Sequence, residues 1–179
     1  MSLNHIKANG ITIKIGEIIP MYIKEVNEKG VNAVYGVYEA FISITDLRYG
    51  FIKDIFTEFQ VGKQIFVKVL GIEDDDNKKI KVSGKQAQIN PWGELGIVHQ
   101  MKVGDVWTGE VTGVKEYGLF INLIDGVDAL VRPMSKRAYN YEPVHVGDKV
   151  DVKISEIDIN KKQIKGKLRW VEKKIRIRY

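Results

Sequence analysis

The feature that most constrains this chain is a rhythm that occurs twice and stumbles on the same beat. Ile65, Val67 and Val69 alternate, and the next apolar residue of the series arrives one place late, at Ile72; Val150, Val152, Ile154 and Ile157 repeat that pattern further along. Strict alternation marks a strand with one buried face. Two strands that break step at the same place bend at the same place, as the corner of a barrel requires. Upstream, Gly16, Ile18, Ile23, Val26 and Gly30 recur at a constant offset as Gly104, Val106, Val111, Val114 and Gly118. Val61-Gly62-Lys63 then precedes one late series as Val146-Gly147-Asp148 precedes the other. Spacing repeats while identity does not, so the chain reads as all-β, two barrels in tandem, one diverged from the other.

Composition narrows the class of partner. With 44% hydrophobic and 28% charged residues the chain is an ordinary globular protein able to bury a core. It has no cysteine, which removes disulfide frameworks and thiolate metal sites. No run approaches the roughly 18 apolar residues of a membrane span, and the N-terminus lacks a signal-peptide plan, so a cytoplasmic location is the expectation. A net charge of +5 leans towards anionic partners. Residues 1–90 carry 12 basic and 11 acidic groups, residues 91–179 carry 16 and 12, and most of that excess lies after Leu168. Bulk charge therefore does not single out the second barrel.

Its strand pattern does. Leu119, Ile121 and Leu123 fall on one face, which leaves Phe120 and Asn122 on the wet one. Gly118 stands where a tight turn calls for positive φ, with Tyr117 beside it at the strand's mouth. Two rings would then share one exposed patch. Bases stack on such rings whatever their sequence, at roughly 1–3 kcal/mol each, which suits single-stranded nucleic acid. The alternative is that Phe120 merely covers a neighbouring loop.

Five blocks of this second copy, Val103-Gly104-Asp105-Val106, Gly109-Glu110-Val111, Tyr117-Gly118-Leu119-Phe120, Gly126-Val127-Asp128-Ala129-Leu130-Val131 and Val146-Gly147-Asp148-Lys149-Val150, resemble in order the S1 RNA-binding domain. The resemblance implies five-stranded antiparallel OB-fold barrels and an RNA site of two aromatics, a histidine after the third strand and polar residues near the last turn. Carried over, the aromatics are Tyr117 and Phe120, and the histidine slot holds Arg132, a planar cation that does not titrate near neutral pH. Asp158 takes the acidic slot and Lys162 the basic one, with Lys161 as its neighbour. Lys136 and Arg137, in a loop of cations interleaved with Tyr139 and Tyr141, complete the expected phosphate contacts, and Asn122 is a further acceptor for a base or ribose.

The first copy lacks this surface. Lys29 and Asn32 stand in the slots of Tyr117 and Phe120, and Ile42 is aligned with Arg132. Its last turn carries Asp74-Asp75-Asp76 against Lys78 and Lys79, read as a solvated turn because no glycine-punctuated cation loop accompanies it. Ile52, Ile55, Phe56 and Phe59 fall at helical spacing, a short helix plugging the barrel end. Ile11 to Ile15 alternates as a short strand without an evident partner. The expected division is residues 1–15, an extension; 16–88, the first barrel; 89–102, a semi-rigid linker; 103–169, the second barrel; and 170–179, a basic tail whose period of two favours a strand. Within the linker, Asn90-Pro91-Trp92 resembles the strap between repeats of the same family, and Trp92 is expected to dock on the first barrel.

Catalytic chemistry is not legible. His5, His99 and His145 lie in separate segments, and no glycine-rich phosphate loop is present, so neither a metal, a cofactor nor an enzymatic role is expected. Three functions remain. The first is RNA binding on the second barrel, in translation or RNA metabolism. The second is an adaptor whose first barrel docks on a ribosomal or RNA-processing protein. The third is general binding of single-stranded DNA or RNA, since stacking alone does not tell the sugars apart.

Overall fold

The computed structural model describes residues 5–8, 10–74, 76, 78–132 and 144–172. Backbone proximity divides the chain into two units, Met1–Asn90 and Pro91–Tyr179, and each holds one closed barrel of five strands.

The first unit opens with a hairpin of β1 (His5–Ala8) and β2 (Ile11–Lys14). The strand expected from Ile11 thus finds its partner just upstream, across Gly10 at φ 79°. Ile6 and Ile13 are buried in the barrel's own core, and the Tyr38 hydroxyl donates to the Ile11 carbonyl at 3.3 Å. The barrel itself comprises β3 (Ile18–Asn27), β4 (Gly30–Tyr35), β5 (Tyr38–Ser43), β6 (Gln64–Asp74) and β7 (Lys79–Ser83), in the order β3-β4-β5-β7-β6.

Between β5 and β6 lies the one-turn helix α1 (Ile55–Glu58), started by Asp54, whose carboxylate accepts the Phe56 N–H at 3.0 Å. The Thr57 hydroxyl, followed by the Phe56 N–H, holds the Asp54 carboxyl below the ordinary aspartate range. Ile52 and Ile55 are buried and Phe59 packs on the core, as the apolar spacing predicts. Phe56 departs from it, at 53% exposure.

The second unit's barrel comprises β8 (Val106–Lys115), β9 (Gly118–Ile124), β10 (Val127–Val131), β11 (Lys149–Asp158) and β12 (Gln163–Glu172), in the order β10-β12-β11-β8-β9. Because β12 runs on to Glu172 and pairs Trp170, Val171 and Glu172 with Asp151, Val150 and Lys149, the start of the basic tail belongs to the last strand. Lys136 and Arg137, with the rest of residues 133–143, lie outside the described residues, as do residues 173–179.

In each barrel four pairings are antiparallel and one is parallel, β5 with β7 and β10 with β12. Directions cannot alternate all the way round an odd ring, so each otherwise antiparallel barrel closes at one parallel pair. The shared stumble in the rhythm is a β-bulge in both copies, between Val69 and Gly71 and between Ile154 and Glu156. The repeated glycines act alike too: the N–H of Gly16 and of Gly104 reach Val69 O and Ile154 O at 2.7 and 2.8 Å, and those of Gly62 and Gly147 reach Ile23 O and Val111 O at 2.8 and 2.7 Å.

Trp92 contradicts its expected place. It is buried in the core of the second barrel, with Val98 and Met101, and its indole N–H donates to the Gly126 carbonyl at 2.8 Å. A buried indole needs an acceptor, and the β9–β10 turn supplies one immediately beside the second core.

Candidate nucleic-acid interface

Along β9 the burial alternates as the sequence dictates: Leu119, Ile121 and Leu123 are buried, while Phe120 and Asn122 are half-buried on the outer face. Lys115 pairs with Gly118, which leaves Glu116 and Tyr117 as a two-residue turn. Neither they nor Gly118 adopt positive φ, so the expected reason for the glycine is wrong. The actual reason is proximity. A Cβ at Gly118 would stand 3.0 Å from the Val131 carbonyl oxygen and 2.8 Å from Leu130 Cδ1.

Tyr117 is 63% exposed at the tip of this turn. Its ring meets that of Phe120 edge to face, centroids 6.0 Å apart and planes at 89°. The two rings share a patch without forming one flat table.

From Phe120 the strand pairings lay out a single row across four strands. Phe120 pairs with Leu130 on β10, Leu130 with Lys165 on β12, and Lys165 with Glu156 on β11. At the usual strand spacing that row is on the order of 15 Å long. Two depressions lie along it and share Leu130 and Lys165. One, of about 210 Å³, is lined by Phe120, Asp128, Lys162 and Gln163. The other, of about 470 Å³, is lined by Arg132, Ser155, Glu156, Gly166 and Lys167. The result is a shallow groove with an aromatic ring at one end and cations along its length.

The expected residues divide around it. Phe120, Arg132 and Lys162 line the groove. Lys162 does so from a left-handed backbone, φ 51°, unusual for a residue with a Cβ. Asp158 is engaged in building the turn: its carboxylate accepts the Lys161 N–H at 2.9 Å and stands 3.6 Å from the Lys161 ammonium. The Lys161 N–H, ahead of its ammonium, holds the Asp158 carboxyl below the ordinary range. Lys161 is therefore tied to that turn and is not part of the groove lining. Asn122 spends its amide N–H groups on Ile124 O at 2.9 Å and Asp128 Oδ1 at 3.0 Å, so it positions Asp128 at the groove's edge.

Sequence reasoning missed Leu130, Glu156, Lys165 and Lys167. The signal was present, since Gln163, Lys165 and Lys167 alternate with Ile164 and Gly166, an outward row of polar residues on a strand.

The corresponding face of the first barrel corrects two expectations. Ile42 pairs with Val31 as Val131 pairs with Leu119, so Ile42 occupies a core position and Ser43 is the counterpart of Arg132. An aromatic is also present, moved one strand over. Asn32 pairs with Phe41, which is 48% exposed and lines a depression of about 560 Å³ with Lys24, Lys79, Glu25, Glu39 and Glu73. Three carboxylates make that face far less welcoming to phosphate. Among the described residues no cluster of histidine and carboxylate ligands suited to a metal occurs.

Residues 100–169 match the family model described as S1 RNA binding domain. The chain carries an S1 domain. Over 83% of its length it is 30% identical to small ribosomal subunit protein bS1 of Coxiella burnetii, spanning 27% of that protein. Over 90% of its length it is 25% identical to the small ribosomal subunit protein bS1 homolog of Bacillus subtilis, spanning 42% of it. The chain thus spans well under half of these curated relatives. A solved structure, the solution structure of GSP13 from Bacillus subtilis, is 25% identical over 44% of this chain and 61% of that one, at a TM-score of 0.38.

Proposed function

We propose that this S1 chain binds single-stranded RNA on its second barrel and does so in translation or RNA metabolism, without catalysing a reaction. The observation that carries the reading is the groove that begins at Phe120 and continues past Lys162 and Lys165 to Arg132. An aromatic ring followed by cations is what a base stacking on one side and a backbone tracking along the other require. The bS1 relatives, proteins of the small ribosomal subunit by name, support the setting.

Fluorescence anisotropy of a labelled RNA oligomer with the Tyr117→Ala/Phe120→Ala double variant tests the site. Affinity should fall at least tenfold while the barrel's circular dichroism is retained; unchanged affinity would remove the site. A DNA oligomer of the same sequence decides whether ribose hydroxyls contribute.

One observation favours a second role for the first barrel. Tyr22 and Phe66 are exposed on β3 and β6, and Phe66 pairs with Pro20. In the second barrel the matching strands carry Thr108 bonded to Asp151 at 2.6 Å. An apolar face where its twin is polar suits a protein partner. Tyr22→Ser/Phe66→Ser should then keep RNA affinity yet lose co-sedimentation with ribosomal subunits, and retained co-sedimentation would reject this role.

A further inference from the structure

Aspartate is depleted in strands, yet Asp128 stands in β10 at the edge of an anion-binding groove. No ion pair accounts for it. Among the described residues neither Lys162 nor Lys165 bonds to it, and the Lys165 ammonium is taken up by Glu156 at 2.9 Å. The first barrel surrounds the equivalent acid differently. Val34 pairs with Glu39 there as Asn122 pairs with Asp128, and Glu39 pairs in turn with Lys79. The second barrel has Gln163 in place of that lysine, since Asp158 pairs with Gln163 as Asp74 pairs with Lys79. On one side an amide replaces an apolar side chain, and on the other a neutral amide replaces a cation.

The Asn122 amide holds the acid in position. It donates to Asp128 Oδ1 at 3.0 Å while anchored on Ile124 O at 2.9 Å. Asp128 Oδ2 keeps its lone pairs, with no partner among the described residues, and the Gln163 side chain likewise makes no hydrogen bond among them. Phe120 pairs with Leu130, two residues beyond Asp128, so ring and carboxylate are diagonal neighbours, about 7–8 Å apart in an ordinary sheet. Phe120, Leu130, Asp128 and Gln163 all border the depression of about 210 Å³. That is below the roughly 300 Å³ at which sites for drug-sized ligands begin, and it suits one small planar ring.

Resting on the reading of the groove as an RNA site, we propose that Asp128, with Gln163 beside it, selects cytosine over uracil for the base lying against Phe120. The two pyrimidines share an outline and differ along one edge. Cytosine sets its N4 amino donor beside the N3 acceptor, whereas uracil sets the O4 acceptor beside N3–H. Cytosine therefore donates from N4 to Asp128 Oδ2, as carboxylates accept from this group elsewhere, and accepts at N3 from the Gln163 amide. Uracil brings O4 against the carboxylate, two acceptors with no proton between them, and both lose water without a replacement bond. Gln163 can turn its amide to suit either edge, but an ionised carboxylate only accepts. The choice is therefore set by Asp128, and Lys162 is left for a flanking phosphate.

The test uses the full chain and RNA oligomers of about six nucleotides, within the span of one barrel, uridine throughout or with one central cytidine. The cytidine oligomer should bind about tenfold tighter, as a good contact to a base edge gives. Pyrimidin-2-one in the central place, which keeps N3 but lacks the amino group, should lose that preference, whereas 5-methylcytosine, altered only on the far edge, should keep it. In Asp128→Asn the side-chain oxygen stays with Asn122 and an N–H donor replaces Oδ2. The preference should then vanish or reverse, with the all-uridine oligomer bound more tightly than by the parent, an outcome that a merely structural aspartate would not give. No cytidine preference in the unmodified protein, or one that survives in Asp128→Asn, overturns the subsite while leaving the groove's RNA binding intact. Failure of both oligomers to bind overturns the groove reading itself, and the subsite with it.

Discussion

The Tyr117 and Phe120 rings stand at 89° to one another, centroids 6.0 Å apart. Perpendicular planes cannot stack the same base. Phe120 lies in the groove, while Tyr117, more exposed on the turn, braces it edge to face.

Unequal and coupled effects follow. Phe120→Ala is expected to cost about 1–3 kcal/mol of RNA affinity, the value of one stacked base. Tyr117→Ala should cost less. A double-mutant cycle by anisotropy should return a coupling of about 0.5–1.5 kcal/mol, the worth of an aromatic pair beyond its buried area. Strictly additive losses would show that the rings act on RNA independently.

Lys162 holds its place through a backbone conformation that disfavours side chains, φ 51°. Lys162→Gly should therefore raise stability by about 1 kcal/mol in urea unfolding, since glycine enters the left-handed region without penalty. The same change should weaken RNA binding and reduce the slope of log affinity against log salt by about 0.7, the loss of one phosphate contact to a single strand. Lys78, at φ 55° in the corresponding turn of the first barrel, is the control: Lys78→Gly should leave RNA affinity unchanged.

No histidine lines the groove, whose position after the third strand is taken by Arg132. RNA affinity should accordingly be flat between about pH 6 and 8, the window in which histidine titrates. Asp158 does not disturb this. Its folded carboxyl is held low, so the contribution of its turn is present above the ordinary aspartate value of about 3.9 and is lost only as pH falls through the lower folded value. Arg132→His should introduce a pH dependence: binding weakens by roughly three- to tenfold as pH rises from about 5.5 to 7.5 and the imidazolium loses its proton. A flat profile in that variant would mean that position 132 does not meet phosphate.

What the sequence disclosed and what it hid follow one physical division. Core alternation is local, so the late Ile72 and Ile157 announced bulges that the structure contains. The outward Phe120 was legible for the same reason. Pairing between distant strands is not local. Ile42 was misaligned with Arg132: β9 carries one extra residue at its own bulge, between the Ile124–Val127 and Asn122–Asp128 pairs, which lengthens the offset between the copies by one, whereas matching Ile42 to Arg132 lengthened it by two, and no count along the chain reveals which. The row from Phe120 to Glu156 depends on the parallel β10–β12 pair, which joins Leu130 to the distant Lys165. Residue type told where aromatics point; only closure of the ring told what lies beside them.

Trp92 extends that lesson to stability. An apolar ring after a proline had to dock somewhere, and the choice between barrels lay with its N–H, which finds the Gly126 carbonyl at 2.8 Å. The strap is thus part of the second core, whose removal should be felt there. Trp92→Ala is expected to destabilise the second barrel by about 3–5 kcal/mol, the usual cost of deleting a large buried aromatic. Trp92→Phe keeps most of the apolar volume but takes this donor from the Gly126 carbonyl, so its cost should be smaller, about 1–2 kcal/mol. Hydrogen exchange of the intact chain reads the difference by location. Protection should fall at β9 and β10 amides in both variants, more in the alanine one, while the first barrel's β3 and β6 amides remain as in the parent. Loss of protection confined to the first barrel would place the ring where the sequence alone had suggested.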